Sequence, residues 1–385
     1  MTDIIAKPLD GVRVIEFSTM ITAAYATMIM AEQGAEVIKV EPAGIGDPMR
    51  HLGSQKPGLS ALFHNFNRGK QSLALDLKSE DDLALARELC EGADVVMSNY
   101  RPSVMDRIGL SYERLKSRNP RLIFARITGF GEDGPQSSHP AYDHVMQAQL
   151  GMTHVQGAAQ GDKPVHVQHT ICDKTTALMA AQAVSSALFK RERTGQGSRI
   201  DLSMLDAGLH FFFPDGLMTE TLLGDDVVHL GPLSDSYGVL TARDGHCVIA
   251  GIGDDAVAAV FSLIEKSELI NDPRFSTLPA RMINLGAMID AMTVAPIDKP
   301  LSKIIQYMED HDVPCCACLD PLAAYDHPQL AAMETVARVD HPYLGPVRSV
   351  RAAARFDGQM GRSHAPSPRL GEHNEAIRKI RADQS

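Results

Sequence analysis

The sequence predicts an α/β chain with a large domain built on a parallel sheet and a smaller α+β domain after it. Three observations carry this. β-rich runs alternate with helix-forming runs from residue 12 to residue 127, and such alternation folds as a doubly wound parallel sheet covered by helices. A long Ala-rich helical stretch follows from residue 173 to residue 190. After about Leu223 the texture changes to short strands around an Asp244-Gly-His turn. The 385 residues are also too many for one ordinary core.

Taken in order, Val12–Phe17 reads as a strand, Ala23–Gln33 as a helix ended by Gly34, and Glu36–Glu41 as a second strand closed by Pro42. A strand at Ser72–Asp76 precedes a helix over Glu80–Glu91, with Gly92 at its C-terminal cap. Asp94–Ser98, a helix near Pro102–Ile108 and the strand Leu122–Ile127 continue the alternation. The turn Thr194-Gly-Gln-Gly197 ends the long helix before a strand at Ser198–Leu202. Tyr237–Thr241 and Cys247–Ala250 read as an antiparallel hairpin, with helices from there to about Asp312. The tail from about His341 is rich in Arg, Pro and Gly and ends in a short helix after Gly371.

Composition narrows the function. With 44% hydrophobic and 22% charged residues the chain is globular. It has no apolar run of membrane-spanning length, and Met1–Asp10 lacks the basic-then-apolar order of a leader peptide, so a cytoplasmic protein is expected. Six cysteines, three of them crowded into Pro314-Cys-Cys-Ala-Cys318, suit neither a disulfide framework nor paired zinc ligands, and read as reduced, mostly buried thiols. A net charge of −11 argues against a nucleic-acid binder. Positive charge is nevertheless concentrated in two places. Seven basic residues face two acids between Arg101 and Arg126, and six arginines face Asp340 and Asp357 between Arg338 and Arg369. Either run is a solvated face or a seat for an anion.

The first strand–helix turn, Ser18-Thr-Met-Ile-Thr22, contains no glycine, which disfavours a dinucleotide site despite Glu41 near the position of a ribose-binding acid. Gly251-Ile-Gly-Asp-Asp-Ala256 imitates a phosphate loop, but Asp254 and Asp255 would stand where phosphates go and suit a helix N-terminus instead. Walker, zinc-protease and serine-hydrolase motifs are absent from the sequence. The sharpest local candidate is Asp173, just before the long helix. It reads either as an N-cap or as a carboxylate kept ionised by the helix start, able to attack an activated acyl group. Spacing leaves both open.

Several ordered segments resemble the class III CoA-transferase family, which includes formyl-CoA transferase, carnitine CoA-transferase and the homologous α-methylacyl-CoA racemases. They are Pro8-Leu-Asp-Gly-Val-Arg-Val14, Gly34-Ala-Glu-Val-Ile-Lys-Val-Glu-Pro42, Asn67–Lys78, Asn99-Tyr-Arg-Pro102 with Arg107-Ile-Gly109, and Asn119-Pro-Arg-Leu-Ile123. Thr128-Gly-Phe-Gly131, Thr194–Gly197, Pro314-Cys315, Asp326-His-Pro328 and Leu370-Gly-Glu-His373 continue the series.

The resemblance implies a Rossmann-like large domain formed by residues 1–210 with 330–385, a small domain over 225–325, and linkers at 211–224 and 326–340. It also implies two protomers interlocked as a homodimer. By the same resemblance Asp173 is the nucleophile, Leu75, Lys78, Asn99, Tyr100 and Arg107 hold CoA, and Met204 lies near the pantetheine. Met20, Ile21 and Thr22 face the thioester, and Tyr142 helps position the acyl group. The implied substrates are an acyl-CoA and a small carboxylic acid, with no permanently bound cofactor, no metal and no membrane or nucleic-acid partner. The implied reaction passes through mixed anhydrides and an aspartyl-CoA thioester, with backbone donors near the helix start steadying the tetrahedral intermediates. The racemases carry histidine where this chain has Tyr142 in Ala141-Tyr142-Asp143. A phenol, with its ordinary pKa of about 10, is a weak base at neutral pH, which favours the transferase over the racemase. A non-catalytic acyl-CoA-binding protein is the third reading.

Overall fold

The computed structural model describes residues 7–158, 161, 163–360 and 365–384. The first six residues, part of the segment read for a leader, and Arg362 of the C-terminal basic run lie outside them. The chain divides into two compact units, residues 1–211 with 329–385 and residues 212–328.

In the first unit the order is β1 (Arg13–Phe17), α1 (Thr22–Glu32), β2 (Glu36–Pro42), the short pair β3 (Gln55–Lys56) and β4 (Leu59–Ser60), and α2 (Ala61–Asn67). Then come β5 (Gln71–Leu75), α3 (Glu80–Glu91), β6 (Val95–Ser98), α4 (Pro102–Arg107), α5 (Tyr112–Arg118) and β7 (Ile123–Thr128). α6 (Asp143–Gln149), α7 (Met152–Ala158), α8 (Ile171–Thr194), β8 (Ser198–Ser203) and α9 (Met204–Gly216) complete the main run. The six long strands form one parallel sheet in the order β5-β2-β1-β6-β7-β8. The order reverses beside β1, where doubly wound sheets open a crevice at the strand carboxyl ends.

Alternate strand residues fall on opposite faces of the sheet. Ile15, Phe17, Ile38, Val40, Leu73 and Phe124 pack with Leu85 of α3, Met105 of α4 and Leu115 of α5. The intervening positions of β1 and β2 include Glu16 and Lys39, both fully buried. Lys39 Nζ lies 2.7 Å from Glu16 Oε1 and 2.9 Å from Asp47 Oδ2, and Lys70 Nζ lies 2.8 Å from Glu16 Oε2. Burial disfavours the charge on Glu16, but Lys39 and Lys70 outweigh it and hold the carboxyl well below its usual range. For Lys70 the balance goes the other way: burial, only partly offset by Glu16, lowers the ammonium to about 8.

The second unit holds a three-stranded antiparallel sheet of β9 (Leu240–Ala242), β10 (Gly245–Ile249) and β11 (Cys315–Ala317). It packs with α10 (Asp254–Leu263) and α11 (Leu301–Asp310) around Phe261, Phe275, Met288 and Ile304. The Gly251–Ala256 segment leads into α10, whose first turn is acidic at Asp254 and Asp255. The end of the stretch read as a linker and the start of the Arg-, Pro- and Gly-rich tail form a hairpin of β12 (Val336–His341) and β13 (Gly345–Val350). Three of the six cysteines, Cys90, Cys172 and Cys247, are buried, while Cys316 and Cys318 are exposed, so the thiols are less uniformly enclosed than expected. Among the described residues no helix is long and apolar enough to cross a membrane.

Candidate active site

A cleft of about 270 Å³ opens at the carboxyl ends of β1, β6 and β7. Met20, Ile21 and Thr22 enter it from the turn after β1, and Asn99 and Tyr100 from the turn after β6. Tyr142, Asp173 and Met204 come from the starts of α6, α8 and α9. Eight of the eleven residues singled out in the sequence therefore share one cleft. Leu75, Lys78 and Arg107 do not line it. Leu75 ends β5 with its side chain in the core, and its carbonyl accepts the Ala43 N–H at 3.0 Å. Lys78 and Arg107 are exposed, on the loop after β5 and at the end of α4.

The turn after β1 is held from two sides. Met20 has φ = 62°, a left-handed conformation uncommon for a residue with a side chain. Its N–H donates to Asp47 Oδ1 at 3.2 Å, and that same aspartate is paired with Lys39. On the other side Asn99 Nδ2 donates to the Thr19 carbonyl at 2.7 Å and the Thr22 hydroxyl at 3.0 Å, while Oδ1 accepts the Thr19 N–H at 3.1 Å. The Asn99 amide is therefore engaged by the turn, and the nucleotide-holding role the resemblance gave it would leave only the second lone pair of Oδ1. Burial pushes the Tyr100 phenol up to about 12. Gly129, after β7, is fixed by close approach, since a Cβ there would come within 2.2 Å of the Ala141 Cβ. This contact brings the segment before Tyr142 against the sheet.

Asp173 differs from the expected helix cap. α8 starts two residues earlier at Ile171, Thr170 holds the cap position, and Asp173 stands in the first turn. Its backbone N–H donates to Asp143 Oδ2 at 2.9 Å. Of the donors expected to face an oxyanion, this one is thus occupied. Nor is the side chain kept strongly ionised by the helix start. Burial, with the Asp143 charge adding, raises the Asp173 carboxyl to about 7. The neighbouring Cys172 thiol is pushed up to about 12 by burial and by the two aspartates, which makes it a poor competing nucleophile.

Sequence reasoning passed over Asp47, Glu16 and Lys39 as site supports. The signal was present, since single charges interrupt the otherwise apolar runs Val14-Ile-Glu-Phe17 and Val37-Ile-Lys-Val40. Of the two basic runs, Arg101 lines the cleft, whereas Arg126 pairs with Glu132 and Asp201 and Arg121 with Glu192.

Residues 9–374 match the family model described as CoA-transferase family III. The chain is 37% identical to acetyl-CoA:oxalate CoA-transferase of Acetobacter aceti over 317 residues, covering 81% of each chain. It is 30% identical to succinyl-CoA:glutarate CoA-transferase of Mus musculus over 313 residues, covering 80% of this chain and 71% of the relative. Among solved structures, Rv3272 of Mycobacterium tuberculosis superposes with a TM-score of 0.83 at 30% identity, covering 97% of this chain and 99% of that one. A CAIB/BAIF family protein of Brucella suis gives a TM-score of 0.82 at 30% identity, with 97% and 99% covered.

Proposed function

This chain belongs to CoA-transferase family III, and on that premise we propose that Asp173 carries an acyl group and then CoA between two carboxylic acids. Membership makes the chain an acyl-CoA:carboxylate CoA-transferase whose substrates are CoA thioesters. The observation that carries the role of Asp173 is its position: it is the one carboxylate among the described residues lining the cleft.

In the proposed sequence the Asp173 carboxylate attacks the carbonyl of the donor acyl-CoA. The C–S bond breaks, leaving a mixed anhydride and CoA thiolate. The thiolate attacks the aspartyl carbonyl, the donor acid departs as its carboxylate, and an aspartyl-CoA thioester remains. The acceptor carboxylate attacks that thioester to give a second anhydride and thiolate. Attack of the thiolate on the acceptor's carbonyl makes the new acyl-CoA and restores the Asp173 carboxylate. One thioester forms for each one broken and no proton is gained or lost. Met20, Ile21 and Thr22 lie on the cleft opposite the reacting carbonyl in this reading, and exclusion of water protects the anhydrides. Tyr142 borders the same cleft as an acyl-positioning group. In this reading the nucleotide of CoA extends toward Lys78 on the loop after β5 and Arg107 at the end of α4, both exposed cations.

The acceptor is a small acid. The named relatives act with oxalate and glutarate, so short dicarboxylates head the panel of acceptors. A homodimer is part of this proposal, supported by apolar side chains exposed along α8 (Leu178, Phe189) and α9 (Leu209, Phe211). The test is a matrix of acyl-CoA donors against carboxylic acids, read by mass spectrometry for new thioesters. Transfer that requires both partners supports the reading. Turnover without an acceptor, with deuterium entering the α-carbon in heavy water, would replace it with a racemase.

A further inference from the structure

The start of α8 is tied to α6 by two side chains that the proposed chemistry has not used. Asp143 is nearly buried, and both of its carboxylate oxygens are engaged. Oδ2 accepts the Asp173 N–H at 2.9 Å, and Oδ1 accepts from Gln147 Nε2 at 2.6 Å. Gln147, one turn further along α6, is itself buried. Its Nε2 also lies 3.3 Å from the carbonyls of Val167 and His169, and its Oε1 accepts the Val167 N–H at 3.0 Å. The segment leading into α8 and the first turn of that helix are therefore pinned to one Asp-Gln pair.

The pinning has an electrostatic consequence. A carboxylate in the first turn of a helix is ordinarily favoured as the anion by the helix dipole. Here a second buried carboxylate holds the peptide N–H of the same residue, and like charges at such range oppose each other. An anhydride or thioester at Asp173 is uncharged, so the repulsion ends when the side chain is acylated. We infer that Asp143 is a positioning residue for Asp173: it fixes the first turn of α8 through the Asp173 N–H, and its charge favours the acylated forms over the free anion. This rests on the reading of Asp173 as nucleophile.

The remaining ionisable groups around Asp173 leave Asp143 as the charge that matters most. Tyr100, Arg101, His139 and Tyr142 line the cleft, and His144 stacks on Tyr142 with ring centroids 6.1 Å apart. Cys172 precedes Asp173 on α8, while Lys174 lines a different cleft with Tyr25 and Glu32 of α1. From the strands and α9, Arg126 pairs with Asp201 at 2.9 Å, and Asp206 accepts from the Ser203 hydroxyl at 2.6 Å.

The experiment compares wild type, Asp143→Asn and Gln147→Ala over a range of pH, measuring kcat and kcat/KM and, on the same samples, the hydroxylamine-trapped adduct at Asp173. Asp143→Asn keeps one oxygen to accept the Asp173 N–H but removes the charge and turns an amide NH2 toward Gln147 Nε2, a lost hydrogen bond that Gln147→Ala shares and so controls for. Its acid limb should move down by about one pH unit or more, and its rate above the limb should fall about tenfold. Gln147→Ala keeps the charge and loosens the clamp, so kcat should fall about tenfold with the limb unmoved. If Asp143→Asn forms the adduct with an unshifted limb and wild-type rate, the inference is wrong while the nucleophile stands. Wild-type kcat in Gln147→Ala would overturn the positioning half. If wild type turns over with no adduct at Asp173, the nucleophile reading fails and this inference with it.

Discussion

The side-chain amide of Asn99 brackets Thr19, donating to its carbonyl at 2.7 Å and accepting its N–H at 3.1 Å. Two turns from non-consecutive strands are thereby locked at the point where the sheet order reverses. Asn99→Ala should free the β1 turn. It is expected to lower kcat/KM about tenfold or more and to cost about 1–3 kcal/mol of stability, measured by steady-state kinetics and urea unfolding. Unchanged kinetics would mean that the turn keeps its shape without the bracket.

Beneath that turn, Glu16 pairs with two buried lysines, Lys39 and Lys70. Glu16→Gln leaves Lys39 paired with Asp47 and takes from Lys70 its 2.8 Å ion pair. Breaking one side of a buried ion network costs about 3–5 kcal/mol, so this variant should unfold at markedly lower denaturant. A change under about 1 kcal/mol, the size of the error in such extrapolations, would contradict the buried network.

The raised carboxyl of Asp173 makes a stability prediction with a definite sign. Between about pH 4 and pH 7 the unfolded chain ionises this group while the folded chain does not, so its contribution to stability falls as pH rises through that window. Asp173→Asn removes the cost. It should be more stable than wild type at pH 8 by about 1–3 kcal/mol and nearly equal to it at pH 4, as seen in melting temperatures of the two proteins.

His64 works in the opposite direction. Its Nδ1 lies 3.1 Å from the Ser367 hydroxyl, and its ring meets His341 edge-on at 5.1 Å. Burial, with His341 and Arg68 adding, lowers its imidazole to about 4. From about pH 6.5 down to about pH 4 the unfolded chain takes up a proton that the folded chain refuses, so stability falls with pH by up to about 3 kcal/mol. His64→Gln should flatten the acid side of a stability-against-pH curve. An equally steep fall in that variant would place the sensitivity elsewhere.

Much of the parallel sheet was legible because its strands are enclosed on both faces and read as short apolar runs between helices. Val12–Phe17, Glu36–Glu41 and Asp94–Ser98 were each placed within a residue or so of β1, β2 and β6. The β12–β13 hairpin was hidden by its composition. Pro346 lies within β13, and Arg338 pairs with Arg348 across the ladder, so the segment read as a linker running into an Arg-, Pro- and Gly-rich tail. In the site, Asp173 stood out by resemblance and by its place near a helix start, but its environment did not. The cap falls on Thr170, and the carboxylate that engages the Asp173 N–H comes from thirty positions earlier on another helix. No periodicity in sequence reports a contact of that kind. The charges of Glu16 and Lys39 were visible within apolar strands, and only their convergence required the fold.

In the proposed mechanism Asp173 becomes covalently acylated during transfer. The direct measurement incubates the enzyme with an acyl-CoA donor and no acceptor, quenches with hydroxylamine, and maps the modified peptide by mass spectrometry. Wild type should carry a hydroxamate at Asp173 and Asp173→Asn none, with a loss of kcat of about a thousandfold or more in that variant. An unmodified Asp173 in an enzyme that still transfers CoA, or near-normal turnover by Asp173→Asn, would contradict it.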